Sequence, residues 1–291
     1  MEISAELVKR LRELTDCGFM DCKKALQETG GNVDEAVAYL RQKGIAVARK
    51  RAERTTSEGA VWALVNPDEA SGVLLEVNCE SDFVARTEAF QEFGSALAAQ
   101  IAAAGPDNTP TDVDQLLAQP WRQQPQLSVA EYLTEVMSKI GENLRVRRFV
   151  RYNGGGLVAA YIHHGAQIGV LLELGGAQPT AAAKTLAKDL AMQVAATNPL
   201  AISREDLDPA IVAREKAIFE AQAKESGKPE KIIERMVTGR LEKFYKEVCL
   251  LEQPFVKNPD ITVGQLLQEN SAASGGELKI QRFTRYQVGA A

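Results

Sequence analysis

Histidine and cysteine are scarce in this chain of 291 residues, which holds two of the first and four of the second. Cys17, Cys22, Cys79 and Cys249 lie outside any CxxC redox or zinc spacing, and only the adjacent His163 and His164 could assist them. Free thiols are expected, with no metal and no cofactor. A surplus of positive charge is also lacking. Net charge is −5 and the isoelectric point is near 5.4, which argues against broad binding to a phosphate backbone and in favour of protein partners. Long apolar runs are absent too. The longest stretch without Asp, Glu, Lys or Arg, Tyr152 to Leu172, holds three consecutive glycines, two histidines, an Asn and a Gln, so no membrane span is expected. Met1-Glu-Ile-Ser opens without a basic stretch and apolar run, so a cytoplasmic protein is expected rather than a secreted one.

What is present is a duplication. With 45% hydrophobic and 25% charged residues the composition is that of an ordinary globular chain, long enough for about two domains. Gly72-Val-Leu-Leu-Glu76 returns letter for letter as Gly169-Val-Leu-Leu-Glu173, and residues 128–152 align without a gap on 262–286 with 9 of 25 identical. The copies part after Glu76: 13 residues, Val77 to Ala89, precede the next helix in copy one, against nine, Leu174 to Ala182, in copy two. The surplus falls around Glu80-Ser-Asp-Phe-Val-Ala85. A connection enlarged in one copy points to a partner or ligand, because connections carry function while elements carry stability.

The pattern predicts an α+β protein. Residues 1 to about 45 read as three short helices, with Leu7, Leu11 and Leu14 on one face, Gly30-Gly31 as a stop and Asn32 with Glu35 as a capping box. So small a bundle suits docking, tethered by the basic segment Arg49 to Thr56, itself a solvated linker more than a nucleic-acid contact. Copy one reads strand (60–65), strand (73–78), loop, helix (88–104) and closing strand (144–152), and copy two repeats the order. Phe90, Phe93, Leu97 and Ile101 correspond to Ala183, Leu186, Leu190 and Val194, and Pro106 to Pro199. Copy two carries 41 further residues after Pro199, read as a helical hairpin from Asp208-Pro209, with a second start at Pro229 and a seam of Val237, Leu241, Phe244 and Val248. The expected division is 1–54 for bundle and linker, 55–153 for the first unit, and 154–291 for the second with its hairpin at about 208–250.

Several strings carry a family signature: Cys17-Gly-Phe-Met-Asp-Cys-Lys-Lys-Ala25, Glu76-Val-Asn-Cys-Glu-Ser-Asp-Phe-Val-Ala85, His164-Gly-Ala-Gln-Ile-Gly169, Ser226-Gly-Lys-Pro229, Met236-Val-Thr-Gly-Arg240 and Gln253-Pro-Phe-Val256. In this order, and nearly end to end, they resemble the bacterial elongation factor Ts family. The resemblance implies a guanine-nucleotide exchange factor for elongation factor Tu, bound in its GDP and nucleotide-free forms. It also implies a UBA-like bundle, two related core subdomains and a coiled-coil arm. By the same resemblance, Ser81, Asp82, Phe83 and Val84 form the loop that disturbs the partner's Mg²⁺ site, Phe19, Met20 and Lys23 dock the N-terminal module, and His164 meets the partner from the second subdomain. No bond-breaking catalysis, direct nucleic-acid contact or membrane is implied. Ser81 stands where the family more often has Thr, and the chain stops soon after Val288, so the C-terminal helix of some longer relatives is not expected.

Other readings of the same residues are open. Asp82 could cap a following helix while Phe83 plugs the core, and Phe19 could be core to the small bundle. Two rival classes are a scaffold that holds partners without exchange and a thiol enzyme built on Cys79 with His163 or His164.

Overall fold

The computed structural model describes residues 3–15, 17–51, 53–105, 108–176, 178–274 and 276–290, with the backbone alone at 45–50 and 272–274. Three helices come first: α1 (Ala5–Thr15), α2 (Phe19–Glu28) and α3 (Val33–Arg51). Copy one follows as β1 (Glu58–Val65), β2 (Gly72–Cys79), α4 (Asp82–Ala85), α5 (Glu88–Ala102), α6 (Val113–Ala118), β3 (Pro120–Trp121), β4 (Gln124–Ser128), α7 (Val129–Ile140) and β5 (Arg145–Tyr152). Copy two is β6 (Leu157–Ile162), β7 (Ile168–Gly175), α8 (Ala181–Thr197), α9 (Pro209–Lys224), α10 (Glu230–Val248), a 3₁₀ turn (Leu250–Glu252), β8 (Pro254–Phe255), β9 (Asn258–Thr262), α11 (Val263–Ser274) and β10 (Lys279–Gln287). Helix and sheet are thus mixed, as expected of an α+β chain.

The bundle buries Val8 and Leu11 of α1, Cys22, Ala25 and Leu26 of α2, and Ala36 and Leu40 of α3. Leu14 does not join them and is 63% exposed, because so small a core is filled before the last turn of α1 is reached. Gly30 and Gly31 end α2 with φ of 59° and 88°, which glycine adopts without strain. Asn32 caps α3 by accepting from the N–H of Asp34 and Glu35. Glu35 reaches back only to the Asn32 side chain, because the Asn32 N–H already donates to the Thr29 carbonyl. The cap is therefore half a capping box. Helix α3 runs beyond residue 45 to Arg51, so the front of the expected tether is helical. The side chains of Arg49 and Lys50, like Pro106, lie outside the described residues. From its outer face α3 packs on α7 through the pair Arg41 and Glu135 (3.1 Å) and the bond from Arg51 Nη1 to the Met137 carbonyl (3.1 Å).

Each copy builds a three-stranded antiparallel sheet whose first-appearing strands are β1 or β6, with β2 or β7 in the centre and β5 or β10 on the far side. One face carries the long helix: Phe90, Phe93, Leu97 and Ile101 of α5 pack on Val73, Leu75 and Val77, while Ala183, Leu186, Leu190 and Val194 of α8 pack on Val170, Leu172 and Leu174. The segment between α5 and β5 holds more than the sequence pattern suggested, namely α6, the β3–β4 hairpin and α7. Helix α7 has a full capping box between Ser128 and Glu131.

The opposite faces of the two sheets pack on each other through Val61, Leu74, Tyr152, Val158, Leu171 and Tyr286. Both central strands are consequently buried on both sides, which explains the verbatim repeat. A Cβ on Gly72 would stand 3.1 Å from Leu171 Cδ1, and one on Gly169 would stand 3.1 Å from Leu74 Cδ1 and 2.5 Å from Val61 Cγ1. Only glycine permits that approach. Glu76 and Glu173, each 1% exposed, are paired with Arg148 (2.7 Å) and Arg282 (2.6 Å) of the neighbouring strand. Those arginines cross the interface: Arg148 lies 4.5 Å over the Tyr286 ring of the other copy, and Arg282 4.1 Å over that of Tyr152. The ladder register slips at the equivalent points, next to Arg147 and Gln281.

The inserted hairpin forms as expected. Asp208 accepts from the Ala210 N–H with Pro209 at the first helical position, and α9 and α10 pack antiparallel with Arg240 bonded to Gln222 (2.6 Å). Val237 is buried in the seam, Leu241 is half-buried, and Phe244 and Val248 pack at the base with Val212, Leu207 and Cys249.

Arg148→Met strands the buried Glu76 carboxylate and is expected to cost about 3–5 kcal/mol, with Glu76→Leu added to it restoring most of the loss. Urea unfolding midpoints check this, and a single variant as stable as the parent contradicts the interlock.

Candidate functional site

The enlarged connection is not a loop but a short helix. Ser81 is its N-cap, accepting from the Val84 N–H (3.3 Å). Val84 and Ala85 turn inward onto the first core, while Phe83 turns outward and is 81% exposed, the most exposed large apolar side chain among the described residues. Phe83 is therefore no plug for the protein's own core. Nor does Asp82 cap α5, whose N-cap is Thr87. Asp82 instead accepts from Arg86 Nη2 one turn on (3.0 Å), an exposed pair worth well under about 1 kcal/mol and easily exchanged for another partner.

The base of α4 is held firmly. Glu142, in the turn after α7, accepts from the N–H of Glu80 (3.1 Å) and Ser81 (3.0 Å) through one oxygen and from Ser81 Oγ (2.6 Å) through the other. Glu80 in turn accepts from the Asn143 N–H (2.7 Å) and meets Arg54 (3.4 Å), whose carbonyl accepts from Asn143 Nδ2 (2.9 Å). The sequence reading did not single out Glu142 or Asn143, and read Arg54 only as part of a solvated basic linker. A signal existed: Glu142 aligns with Gly276, so the carboxylate is present only in the copy with the enlarged connection.

His164 sits exposed in the turn between β6 and β7, and with Gly165 to Gln167 it lines one cleft together with Asp82, Arg86 and Gln91. Folding thus brings His164 of copy two beside the α4 helix of copy one, with Gln167 Nε2 donating to the Gly59 carbonyl across the junction (3.1 Å). Phe19 and Met20 form a separate strip on α2. They are 48% and 70% exposed, so Phe19 is not core, and Lys23 beside them is half-buried. Lys43 bonds Asp21 (2.6 Å) next to that strip.

Cys79 is fully buried behind α4, its thiol donating to the Ser81 carbonyl, and burial pushes it up to about 12. A thiol held protonated in the interior is unsuited to nucleophilic attack, which removes the basis for a thiol enzyme at that residue. Among the described residues no group of three His, Cys, Asp or Glu side chains could hold a metal ion, and no helix is long and apolar enough to cross a membrane.

Two copies of one α+β unit are joined face to face and carry a projecting aromatic on a braced support. Comparison with known proteins identifies the family. The family described as Elongation factor TS matches residues 80–290. Elongation factor Ts of Clostridium botulinum (strain Alaska E43 / Type E3) is 44% identical over 288 residues, covering 99% of this chain and 93% of that protein. That of Halothermothrix orenii is 42% identical over 289 residues with the same coverage. The chain belongs to the elongation factor Ts family, and so to the translation elongation factors of protein biosynthesis.

Above pH 9 the unfolded Cys79 thiol ionises while the folded one keeps its proton, and Tyr286, also raised to about 12, adds to the effect. The unfolded chain then binds fewer protons, so stability falls as pH rises through the 9-to-12 window. The melting midpoint should drop between pH 9 and 11, and less steeply in Cys79→Ala. A midpoint flat over that range contradicts the assignment.

Proposed function

We propose that the protein is a guanine-nucleotide exchange factor that binds elongation factor Tu carrying GDP and disturbs its Mg²⁺ and phosphate site through Asp82 and Phe83. GDP leaves, the nucleotide-free partner is held, and GTP displaces the factor. The observation that carries this reading is Phe83, an aromatic ring 81% exposed on a four-residue helix with a hydrogen-bonded base. A solvated ring on a fixed mount is suited to insertion into another protein.

GDP in such partners is gripped by Mg²⁺, a phosphate-cradling loop and its lysine, and release is slow until those contacts loosen. Accelerating release by about 10⁴ to 10⁵ needs roughly 5.5–7 kcal/mol in favour of the opened state. Burying one Phe supplies only about 1.5–3 kcal/mol. Further contact is required, and the molecule has surfaces for it. In this reading residues 1–54 are the UBA-like docking module, with Phe19, Met20 and Lys23 at the contact. The first unit, 55–153, carries Ser81 to Val84. The second, 154–291, offers His164 and a coiled-coil arm at about 208–250. The factor lowers nucleotide affinity by the factor through which nucleotide lowers its own, so GTP ejects it. No bond is broken, and no cofactor, nucleic acid or membrane takes part in this cytoplasmic cycle.

Stopped-flow release of a fluorescent GDP from elongation factor Tu tests the reading. Phe83→Ala should slow the accelerated release by about 10- to 100-fold, while binding to the nucleotide-free partner changes far less. A variant as fast as the parent, as a pure holding scaffold requires, overturns the role of Phe83. A parent without acceleration overturns the function.

A further inference from the structure

We propose that Glu142 is the positioning residue of the exchange site: it fixes the angle and stiffness of the helix that presents Phe83, and links that helix to the N-terminal bundle. This rests on the exchange reading above and adds a residue that touches neither nucleotide nor partner in it. The geometry is specific. The N–H groups of Glu80 and Ser81 lie ahead of the first turn of α4, where no carbonyl within the helix can accept from them. One Glu142 oxygen takes both, and the other takes the Ser81 hydroxyl, whose oxygen in turn caps Val84. A single carboxylate thereby orients the three groups that precede Phe83.

The duplicated copy is an internal comparison. At the position of Glu142 it has Gly276, and there the connection is four residues shorter and without an aromatic residue. Carboxylate and projecting helix occur together, as a bracket and its load do. The same turn leads toward the bundle. Gly141, with φ of 90°, ends α7 and swings Glu142 back toward α4, Asn143 binds both Glu80 and the Arg54 carbonyl, and α7 itself is clamped to α3 by Arg41 and Glu135. Force applied at the bundle is carried along α7 to the root of Phe83 and not absorbed by a slack connection.

The test compares Glu142→Ala, which removes every acceptor, with Glu142→Gln, whose amide oxygen can still take both N–H groups. In the free full-length protein, amide hydrogen exchange of residues 80–85 should quicken by about tenfold in Glu142→Ala and little in Glu142→Gln, with the melting midpoint of each near that of the parent. In the GDP-release assay, the maximal rate at saturating Glu142→Ala should fall by about tenfold with the half-saturating concentration changed by less than about threefold, and Glu142→Gln should recover most of the rate. Unchanged loop exchange in Glu142→Ala, or a fall in rate and melting midpoint together with a rise in the half-saturating concentration, as for a merely structural residue, overturns the proposal. Should the parent itself fail to accelerate GDP release, the exchange reading falls, while amide exchange still decides whether Glu142 braces the helix.

Discussion

The structure depends on the close approach of two sheets across a pair of glycines. Gly72 and Gly169 let each central strand lie against a leucine of the other copy, and the approach buries Glu76 and Glu173 almost completely. A buried carboxylate is tolerable only when paired and hydrogen-bonded, so each needs its arginine. Each arginine is placed by the strand that pairs with its own glutamate, and it rests on a tyrosine from the opposite copy. Glycine, leucine, glutamate, arginine and tyrosine thus constrain one another in both directions. The equivalent bulges at Arg147 and Gln281 keep the arginines in line with the acids despite the twist of the sheets.

That body allows an asymmetric site to be built on a symmetric frame. The junction brings the β6–β7 turn with His164 alongside α4, so one cleft draws residues from both copies. The helix carrying Phe83 stands on three kinds of support: the inward Val84 and Ala85, the Glu142 bracket, and the bundle behind α7. An aromatic ring loses less freedom on docking when its backbone is already fixed, so more of its burial energy remains for work on the partner.

Much of this was legible in residue order. The repeated Gly-Val-Leu-Leu-Glu marked the duplicated central strand, and the aligned Phe90 series and Ala183 series marked the helix faces that cover it. Asp208-Pro209 and Pro229 gave both helix starts of the arm. The reason for the verbatim repeat was not legible, because alternation within one strand says nothing of a second sheet behind it. Helix α4 was read as loop since four residues carry no period, and the stripe of Leu7, Leu11 and Leu14 did not reveal that the small core has no room for its last member. Glu142 escaped notice because its partners lie about 60 residues away in sequence. Only the contrast with Gly276 pointed to it.

The tyrosine that seats Arg148 lies in β10, the final strand in chain order, 134 residues after its counterpart Tyr152. On a ribosome adding roughly 5–20 residues per second, Arg148 therefore waits on the order of 10 s for its tyrosine, although β6 and β7, which bring Val158 and Leu171 against the first sheet, emerge sooner. A component of the translation apparatus thus carries, in its own topology, a waiting period during synthesis before the last ring of its interlock is in place.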